Sequence, residues 1–412
     1  MAHFVGIGLG AIQAGLFVRE AYRTGAFASL TIAARRRPLV DAINTANALS
    51  INTAHDDGVL AETLDGVQAF AIDAQDRSAL VAALARASEI AIAVSSVDDY
   101  ATGGPLSIDA LLADAIAIKL EQAAPPALIY TAENHHHAAA LLERAILNRL
   151  SDDMRASALT KFQTVDTVIG KMSRVVVDPA EMVQAGLMEA APGTGRAFLV
   201  EAFNRIQISP CDRARTSGRT ITIFEEAADL TPYEHAKLHG HNATHALLAY
   251  FGLALGKTWI SDVFQMPQLV ALARSAFVNE SGATLRRMHA GHGPLFTETG
   301  YAAYVDDLLK RMANPHLRDT CGRIGRDVER KLGWDDRLIG TIRLALREGI
   351  EPTGYALGAL AAVRHWKGHT NDLSPLLALW EEQGASPVEA EQVYSLLTVH
   401  RADFRKIFDA LA

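Results

Sequence analysis

The sequence predicts an α/β domain over residues 1–229, built on a mostly parallel sheet, followed by a mainly α-helical domain over residues 230–412. In the first half, short apolar or β-branched runs alternate with helical stretches. This alternation is typical of a parallel sheet that is covered by helices on both faces. From about residue 230 the pattern changes to long helices with few strand signals.

The composition fits a globular protein. Hydrophobic residues make up 49% of the chain and charged residues 21%, which excludes a disordered or low-complexity protein. Lys and Arg number 39 against 47 Asp and Glu, for a net charge of −8, so we expect no binding to nucleic acid or to an anionic membrane. Only two cysteines occur, Cys211 and Cys321, which fits a reducing compartment. We therefore expect a cytoplasmic protein, and the sequence makes no prediction of its oligomeric state.

Four strands alternate with four helices in the first half. The strands are predicted at residues 3–8, 30–34, 89–94 and 127–132. The helices are predicted at residues 11–24, from about residue 38, at 76–88 and at 108–122. The second half opens with a strong helix start at residues 231–234, where Thr caps the helix, Pro takes its first position and Glu completes a capping box.

A glycine-rich turn follows the first strand and includes Gly8, Gly10, Ala11 and Ile12. A Rossmann-type dinucleotide-binding fold needs glycines here because the backbone turns sharply and approaches the pyrophosphate, which binds at the N-terminus of the next helix. The third glycine of the GxGxxG pattern is replaced by Gln13. A glycine turn that merely closes a strand is the alternative, but the strand before it and the helix after it favour a cofactor site.

The end of the second predicted strand indicates which nicotinamide cofactor binds. NAD-binding folds place an acid here to accept from the ribose 2′-hydroxyl, whereas an arginine accommodates the 2′-phosphate of NADP. This chain has Arg35, Arg36 and Arg37, and no acid before Asp41. We therefore expect NADP(H) to be preferred, with Arg35 and Arg36 as contacts, and NAD(H) as the alternative cofactor. A merely solvated basic helix entrance is the structural alternative.

The helix that begins the second half carries a polar stripe. At about 100° per residue, Glu234, Lys237, His241 and His245 fall within roughly 80° of one another, and Asn242 lies about 60° further round. Core packing does not explain such a stripe, because burying Lys, Asn and His together is costly unless they have partners or a task.

Zinc is the rival explanation for this stripe. His241 and His245 have the i,i+4 spacing of metal ligands, and His235 and His239 lie nearby. However, the HExxH pattern is absent, and no acid or cysteine cluster supplies a third ligand. The three consecutive histidines at residues 135–137 point in different directions and chelate poorly. We therefore expect no metal.

Lys237-x4-Asn242-x2-His245, with Glu234 three residues before the lysine, resembles the signature of the polyol-specific long-chain dehydrogenases and reductases, the mannitol dehydrogenase family. Residues 314–339 are similar to the mannitol-1-phosphate 5-dehydrogenase branch of that family. The resemblance implies that Lys237 is the general base, that Asn242 and His245 hydrogen-bond the reacting oxygen, and that Glu234 gates the proton. A helix-capping role explains Glu234 almost as well.

The same resemblance extends to the first domain. Residues 132–134 resemble a cofactor-side loop, which implies cofactor contacts from Glu133 and Asn134. Where the family carries an Asn as a second oxyanion donor, this chain has Asp166. An ionised Asp166 cannot donate to an alkoxide, so it either accepts from a substrate hydroxyl or stays protonated.

These inferences predict reversible, metal-independent hydride transfer between NAD(P)H and a ketose or ketose phosphate, most like the pair mannitol 1-phosphate and fructose 6-phosphate. The site is expected between the domains, where Asp166 and the cofactor face the Lys237 helix. A free polyol or sugar acid is the alternative substrate, and a catalytically silent nucleotide sensor is the alternative class. A phosphate clamp is proposed from basic residues that can equally be surface charges or helix caps: Arg323, Arg326, Arg330, Lys331 and Arg337.

Overall fold

The computed structural model describes residues 1–212 and 218–411. The chain divides into two compact units, which are Met1–Leu230 and the part of the chain from Thr231 onward. Among the described residues, no helix combines the length and the apolar character needed to cross a bilayer.

The strands lie in the first unit. They are β1 (Ala2–Ile7), β2 (Phe27–Ala34), β3 (Ala48–His55), β4 (Gly58–Asp65), β5 (Val67–Ala71), β6 (Glu89–Ile92), β7 (Ala127–Thr131), β8 (Phe162–Val168), β9 (Ser173–Val176), β10 (Ala197–Glu201), β11 (Gln207–Ile208) and β12 (Glu225–Glu226). The four strands predicted from the sequence are β1, β2, β6 and β7, and all four are confirmed.

The helices of the first unit are α1 (Arg19–Thr24), α2 (Arg37–Ala46), α3 (Arg77–Arg86), α4 (Ile108–Glu121), α5 (Ala138–Arg149), α6 (Asp152–Ala158) and α7 (Pro179–Gln184). The predicted helices at 76–88 and 108–122 and the one from about residue 38 are confirmed within one or two residues. The predicted helix at 11–24 is present, but Gln13–Val18 forms a π-helical segment before α1.

The larger sheet has the strand order β12-β11-β8-β7-β6-β1-β2-β5 within the described residues. The strands from β8 to β5 all run parallel. The chain passes from β1 outward to β2 and β5 and then returns to β6 on the other side of β1, so the topological switch point lies between β1 and β6. In sheets of this kind, ligands bind outside the carboxyl ends of the strands at the switch point.

A separate sheet in the first unit was not predicted from the sequence. It has the order β4-β3-β10-β9 in the described part of the chain. Strand β3 contains polar residues, so its sequence does not look like that of a buried strand. One of these polar residues, Asn52, is nevertheless fully buried. Its amide group donates to the carbonyls of Met188 (2.8 Å) and Phe198 (3.1 Å) and accepts from the Met188 N–H (2.9 Å). A buried, fully bonded Asn of this kind ties the sheet to the loop before β10.

The parallel sheet packs apolar side chains on both faces, as its pattern predicts. Successive residues of β1 point to opposite sides. Phe4 joins one core with β2 and β3, whereas Val5 joins the other core with α3 and α4. The two-faced core holds the carboxyl end of β1 in a fixed position.

The second unit is helical. Its helices are α8 (Thr231–His235), α9 (Ala243–Ala254), α10 (Ile260–Val263), α11 (Pro267–Ser275), α12 (Gly282–Met288), α13 (Glu298–Met312), α14 (Cys321–Gly325), α15 (Val328–Lys331), α16 (Ile339–Arg347), α17 (Thr353–Lys367), α18 (Ser374–Glu382) and α19 (Pro387–Leu411). Together with the parallel sheet of the first unit, this confirms the predicted fold class.

One prediction about the second unit is wrong. The segment that begins at residue 231 is not a continuous α-helix, because Ala236–Asn242 forms a π-helical segment between α8 and α9. A π-helix bonds residue i to i+5, so the regular 100° rotation does not hold across it. The angles predicted between Lys237 and its neighbours on the stripe therefore do not apply. Single-turn π segments of this type occur frequently at functional sites.

Candidate active site

The glycine turn lies at the switch point of the parallel sheet. Gly8 has a φ of +86°, and a Cβ at this position would overlap the carbonyl oxygen of Ala93 just beyond β6. Its N–H donates to the carbonyl of Ala33 at the end of β2 (2.9 Å). Only glycine fits this conformation and this close approach. The first N–H···O bond of the following helix runs from Ala14 to the carbonyl of Gly10 (3.0 Å).

The missing third glycine has a structural counterpart. The third glycine of the pattern normally allows the helix to pack closely on a strand. In this chain Gly15 has that contact, since a Cβ there would overlap the side chain of Val200 in β10. Gln13 is buried, and its amide packs against Gly6. The spacing of Gly15 from Gly10 was visible in the sequence, but its partner strand was not predicted.

A cleft of about 700 Å³ opens at the carboxyl ends of β1, β2 and β6. Cofactor sites commonly have a volume of this order. The predicted residues Gly8, Gly10, Arg35 and Arg36 line it, together with Asp99 and Arg196, which sequence reasoning missed.

Other predicted cofactor residues lie elsewhere in the first unit. Ala11 is buried in the core, and Ile12 packs against it, so these residues contribute a helix start rather than side chains in the cleft. Glu133 and Asn134 are not among the described residues that line the cleft. They follow β7, where Glu133 is buried and Asn134 is exposed.

The three consecutive arginines differ in their partners. The guanidinium of Arg35 donates to Asp99 (2.8 Å), and Arg37 donates to Asp73 and Asp76. The side chain of Arg36 has no hydrogen bond or ion pair within the described residues. Asp41, the nearest acid in sequence, lies 3.9 Å from Arg37. The shorter contacts come from acids that follow other strands, since Asp99 follows β6 and the partners of Arg37 follow β5.

Glu133 joins the ends of two neighbouring strands. One carboxylate oxygen accepts from the Val94 N–H (2.8 Å), and the other accepts from the Tyr100 hydroxyl. Burial raises the pKa of Glu133 to about 7, although these donated hydrogen bonds favour the ionised form. Val94 lines the cleft. Glu133 therefore contacts the cleft only indirectly, through the backbone of Val94.

Asp166 lies near the end of β8 and binds the start of helix α5. Its carboxylate accepts from the Ala139 N–H in the first turn of α5 (2.8 Å), and its own N–H donates to the Ser209 hydroxyl (3.0 Å). A carboxylate at a helix N-terminus satisfies an amide that has no partner within the helix. Spacing alone could not predict this bond, because Ala139 lies 27 residues from Asp166.

In the second unit, Lys237 and Asn242 lie on the π segment and His245 on the first turn of α9. Lys237 and Asn242 are half-buried, and His245 is buried. Burial lowers the pKa of Lys237 to about 8, the charge of Arg337 acts in the same direction, and Glu234 opposes both. An amine with this pKa exists partly in its neutral form near pH 7–8, which a general base requires.

His245 is neutral at ordinary pH. Burial lowers its pKa to about 4, against the opposing charge of Asp319. The Nε2 atom lies 3.7 Å from Oδ2 of Asp319, too far for a hydrogen bond but close enough for an electrostatic contact. Arg323 holds Asp319 with two bonds of 2.8 and 2.7 Å. Asp319 is only 5% exposed, so the carboxylate is fixed beside the imidazole.

The histidines on and beside the stripe contact other side chains in the described structure. His235 shares a hydrogen bond with His289 (3.0 Å), and His239 shares one with Thr341 (3.1 Å). The ring of His241 stacks on that of His245 at 5.9 Å between centroids. Over residues 1–212 and 218–411, no three His, Cys, Asp or Glu side chains form a group that could hold a metal ion.

The basic residues proposed as a phosphate clamp already have partners inside the second unit. Arg330 and Arg337 both bind Asp336 at 2.8 Å, as Arg323 binds Asp319. The ammonium of Lys331 donates to the carbonyl of Arg326. Acids of the same unit therefore neutralise most of the basic side chains that were predicted to bind a substrate phosphate.

Most of the second unit resembles a known family. Residues 229–403 match the mannitol dehydrogenase C-terminal domain. The resemblance to the mannitol dehydrogenase family found in the sequence is thereby confirmed. Among named relatives, the chain is 32% identical over 237 residues to a mannitol-1-phosphate 5-dehydrogenase of Paenarthrobacter aurescens (strain TC1). That match covers 57% of this chain and 59% of the relative.

Solved structures share the fold over nearly the whole chain. A D-sorbitol dehydrogenase in substrate-free form has a TM-score of 0.78 at 14% identity, covering 99% of this chain and 94% of that chain. The mannitol 2-dehydrogenase of Pseudomonas fluorescens, in ternary complex with NAD and D-mannitol, has a TM-score of 0.72 at 14% identity. That similarity covers 100% of this chain and 94% of that one.

Proposed function

We propose that the protein is a metal-independent, NADP(H)-preferring oxidoreductase that interconverts mannitol 1-phosphate and fructose 6-phosphate, or a closely similar pair. The observation that carries the proposal is Lys237 with its pKa lowered to about 8, in a mannitol dehydrogenase C-terminal domain and on one segment with Asn242 and His245. The name of the bacterial relative supports the phosphorylated substrate.

The proposed mechanism assigns one task to each polar residue of the segment. The cofactor, when bound, supplies the hydride acceptor. Nζ of neutral Lys237 accepts the proton of the substrate hydroxyl as the hydride leaves the carbon that bears this hydroxyl. Asn242 and His245 donate hydrogen bonds to that oxygen and stabilise its developing negative charge. A neutral His245 suits this role because it donates without being able to protonate the oxygen in place of Lys237. Glu234 raises the pKa of Lys237 and, in this proposal, passes the proton on.

The cleft of the first unit suits a dinucleotide. The glycine turn at the switch point allows a pyrophosphate to approach the backbone. Arginines rather than an acid follow β2, which favours NADP(H) over NAD(H). The carboxylate of Asp166 binds the start of α5. This bond favours a structural role for Asp166 over the direct contact with a substrate hydroxyl that was also considered from the sequence.

A free polyol or sugar acid is the second candidate substrate. A specific observation favours it, because three of the five basic residues expected to clamp a phosphate are paired with Asp319 or Asp336. A phosphorylated substrate still ranks first, because Arg326 of this group is 71% exposed and lies 3.7 Å from its carboxylate partner, Asp327.

The test is the oxidation rate of NADPH and of NADH with fructose 6-phosphate, fructose and a keto sugar acid, each measured with EDTA present. Rapid turnover of fructose 6-phosphate with NADPH is the expected result. Turnover of fructose alone would replace the substrate and keep the reaction class. Cofactor binding without turnover of any acceptor would contradict the proposal and favour a nucleotide sensor.

A further inference from the structure

The cofactor cleft has a basic end formed by two arginines from different parts of the first unit. Arg36 lies between β2 and α2, and Arg196 directly precedes β10 of the four-stranded sheet. Both line the cleft together with Ala34, Leu39 and Ile72. Ala34 and Leu39 lie at and after the end of β2, where the ribose 2′ position binds in dinucleotide folds, and Ile72 follows the neighbouring strand β5.

Neither arginine has a counter-charge among the described residues. Within the parts of the chain that the structure describes, the side chains of Arg36 and Arg196 have no hydrogen bond and no ion pair. The neighbours of Arg36 in sequence, Arg35 and Arg37, are both paired with carboxylates. Burial lowers the pKa of Arg196, and the charge of Arg36 lowers it further, so the two guanidinium groups are close enough to repel each other.

The backbone of Arg196 is firmly held. Its carbonyl accepts from the Ala190 N–H (2.8 Å), and the strand that follows is buried along its whole length. That strand pairs with β3 and β9. Two like charges that are held together without a partner are unfavourable, and a bound anion would relieve the repulsion. Guanidinium groups suit a phosphate in particular, because they bind it with two parallel hydrogen bonds.

We propose that Arg196, acting with Arg36, binds the 2′-phosphate of NADP(H) and determines the preference for that cofactor. This inference rests on the proposed function. It changes the assignment made from the sequence, because Arg35 is neutralised by Asp99. The other oxygen of Asp99 accepts from the Ser95 hydroxyl (2.7 Å), so the acid in the cleft is held by these two contacts.

The experiment measures binding rather than turnover. The affinities for 2′,5′-ADP and 5′-ADP, which carry no nicotinamide, are determined by isothermal titration calorimetry for the wild type and for Arg196→Gln and Arg36→Gln. Each variant is expected to weaken the binding of 2′,5′-ADP about 10- to 100-fold, the usual range for a lost hydrogen bond to a charged group. The binding of 5′-ADP is expected to change less than about twofold. The control is Arg205→Gln, since Arg205 is 75% exposed and pairs with Glu225.

The possible outcomes separate this inference from the proposed function. If the wild type binds 5′-ADP as tightly as 2′,5′-ADP, the NADP(H) preference itself is wrong. If the wild type prefers 2′,5′-ADP and Arg196→Gln keeps that preference, the assignment to Arg196 is overturned and the proposed function stands. Equal weakening of both ligands also overturns it. Thermal melting checks folding, and if Arg196→Gln fails to fold, Arg196→Lys, which keeps the charge, and Arg36→Gln decide the question.

Discussion

The cofactor cleft and the Lys237 segment differ in the environment that they provide for basic side chains. In the cleft, the side chains of Arg36 and Arg196 have no counter-ion among the described residues, as expected of a site that binds an anion. On the segment, burial lowers the pKa of Lys237 to about 8 and that of His245 to about 4. That environment favours neutral groups, which can exchange a proton. The difference fits the proposed division of tasks, in which the first unit binds the cofactor and the second supplies the base.

The strongest test of this contrast is Lys237→Ala. We expect kcat to fall about 10²- to 10⁴-fold, the usual contribution of a general base, while the affinity for the cofactor stays nearly unchanged. Steady-state kinetics and a separate binding titration measure the two quantities. Lys406→Ala is the matched control, because Lys406 is an exposed lysine of the same unit. Wild-type turnover in Lys237→Ala would show that Lys237 is not the general base.

A smaller effect is expected when the carboxylate beside His245 loses its charge. In Asp319→Asn the imidazole loses the charge that holds it, so we expect kcat to fall about 10-fold with little change in KM for the cofactor. The pKa of His245 should also fall further below 4, because Asp319 raises it. NMR titration of the imidazole checks this shift.

Two controls keep the Asp319 prediction specific. Asp306→Asn removes a carboxylate that pairs with Arg274 on the exposed surface of the same unit, and it should leave kcat unchanged. Asp319→Glu should restore part of the activity. If Asp319→Asn lowers only the melting temperature, with kcat and the pKa of His245 unchanged, the carboxylate is structural and does not position the imidazole.

The glycines of the cofactor turn give the smallest effect and separate packing from binding. A Cβ on Gly15 overlaps Val200, whereas a Cβ on Gly10 meets open space. Gly15→Ala should lower the free energy of unfolding by about 1–3 kcal/mol. Gly10→Ala should change it by less than about 1 kcal/mol and weaken cofactor binding instead. Urea denaturation measures both variants.

A second substitution checks the cause of the Gly15 effect. Val200→Ala in the Gly15→Ala background should restore part of the lost stability, because it removes the overlapping side chain. Equal stability of Gly15→Ala and Gly10→Ala would show that the close packing at Gly15 has no energetic weight.

The regular parts of the fold could be predicted from the sequence, because periodicity reports burial directly. The strands β1, β2, β6 and β7 are apolar runs bounded by turns, and each was found. Strand β3 was missed because its buried Asn52 looks polar until its partners at Met188 and Phe198 are known. The π segment was missed because one extra residue per turn leaves no mark on composition.

The candidate site could be predicted only where its residues are close in sequence. Lys237, Asn242 and His245 stand within nine positions, so spacing was enough to find them. Arg35 and Asp99 are 64 positions apart, and their ion pair arises only from the order of the parallel strands. Arg196 was missed for the same reason, since β10 belongs to a sheet that the sequence did not reveal.

The pH dependence of polyol phosphate oxidation tests the central claim most directly. In the presence of EDTA, kcat/KM for mannitol 1-phosphate should rise about tenfold per pH unit on the acidic side and level off near pH 8, because only neutral Lys237 accepts the proton. The reverse reduction should decline above that pH. In Lys237→Ala the rate should be low and should lack this inflection. An unchanged rate with the same inflection near pH 8 in Lys237→Ala would contradict the assignment of Lys237 as the base.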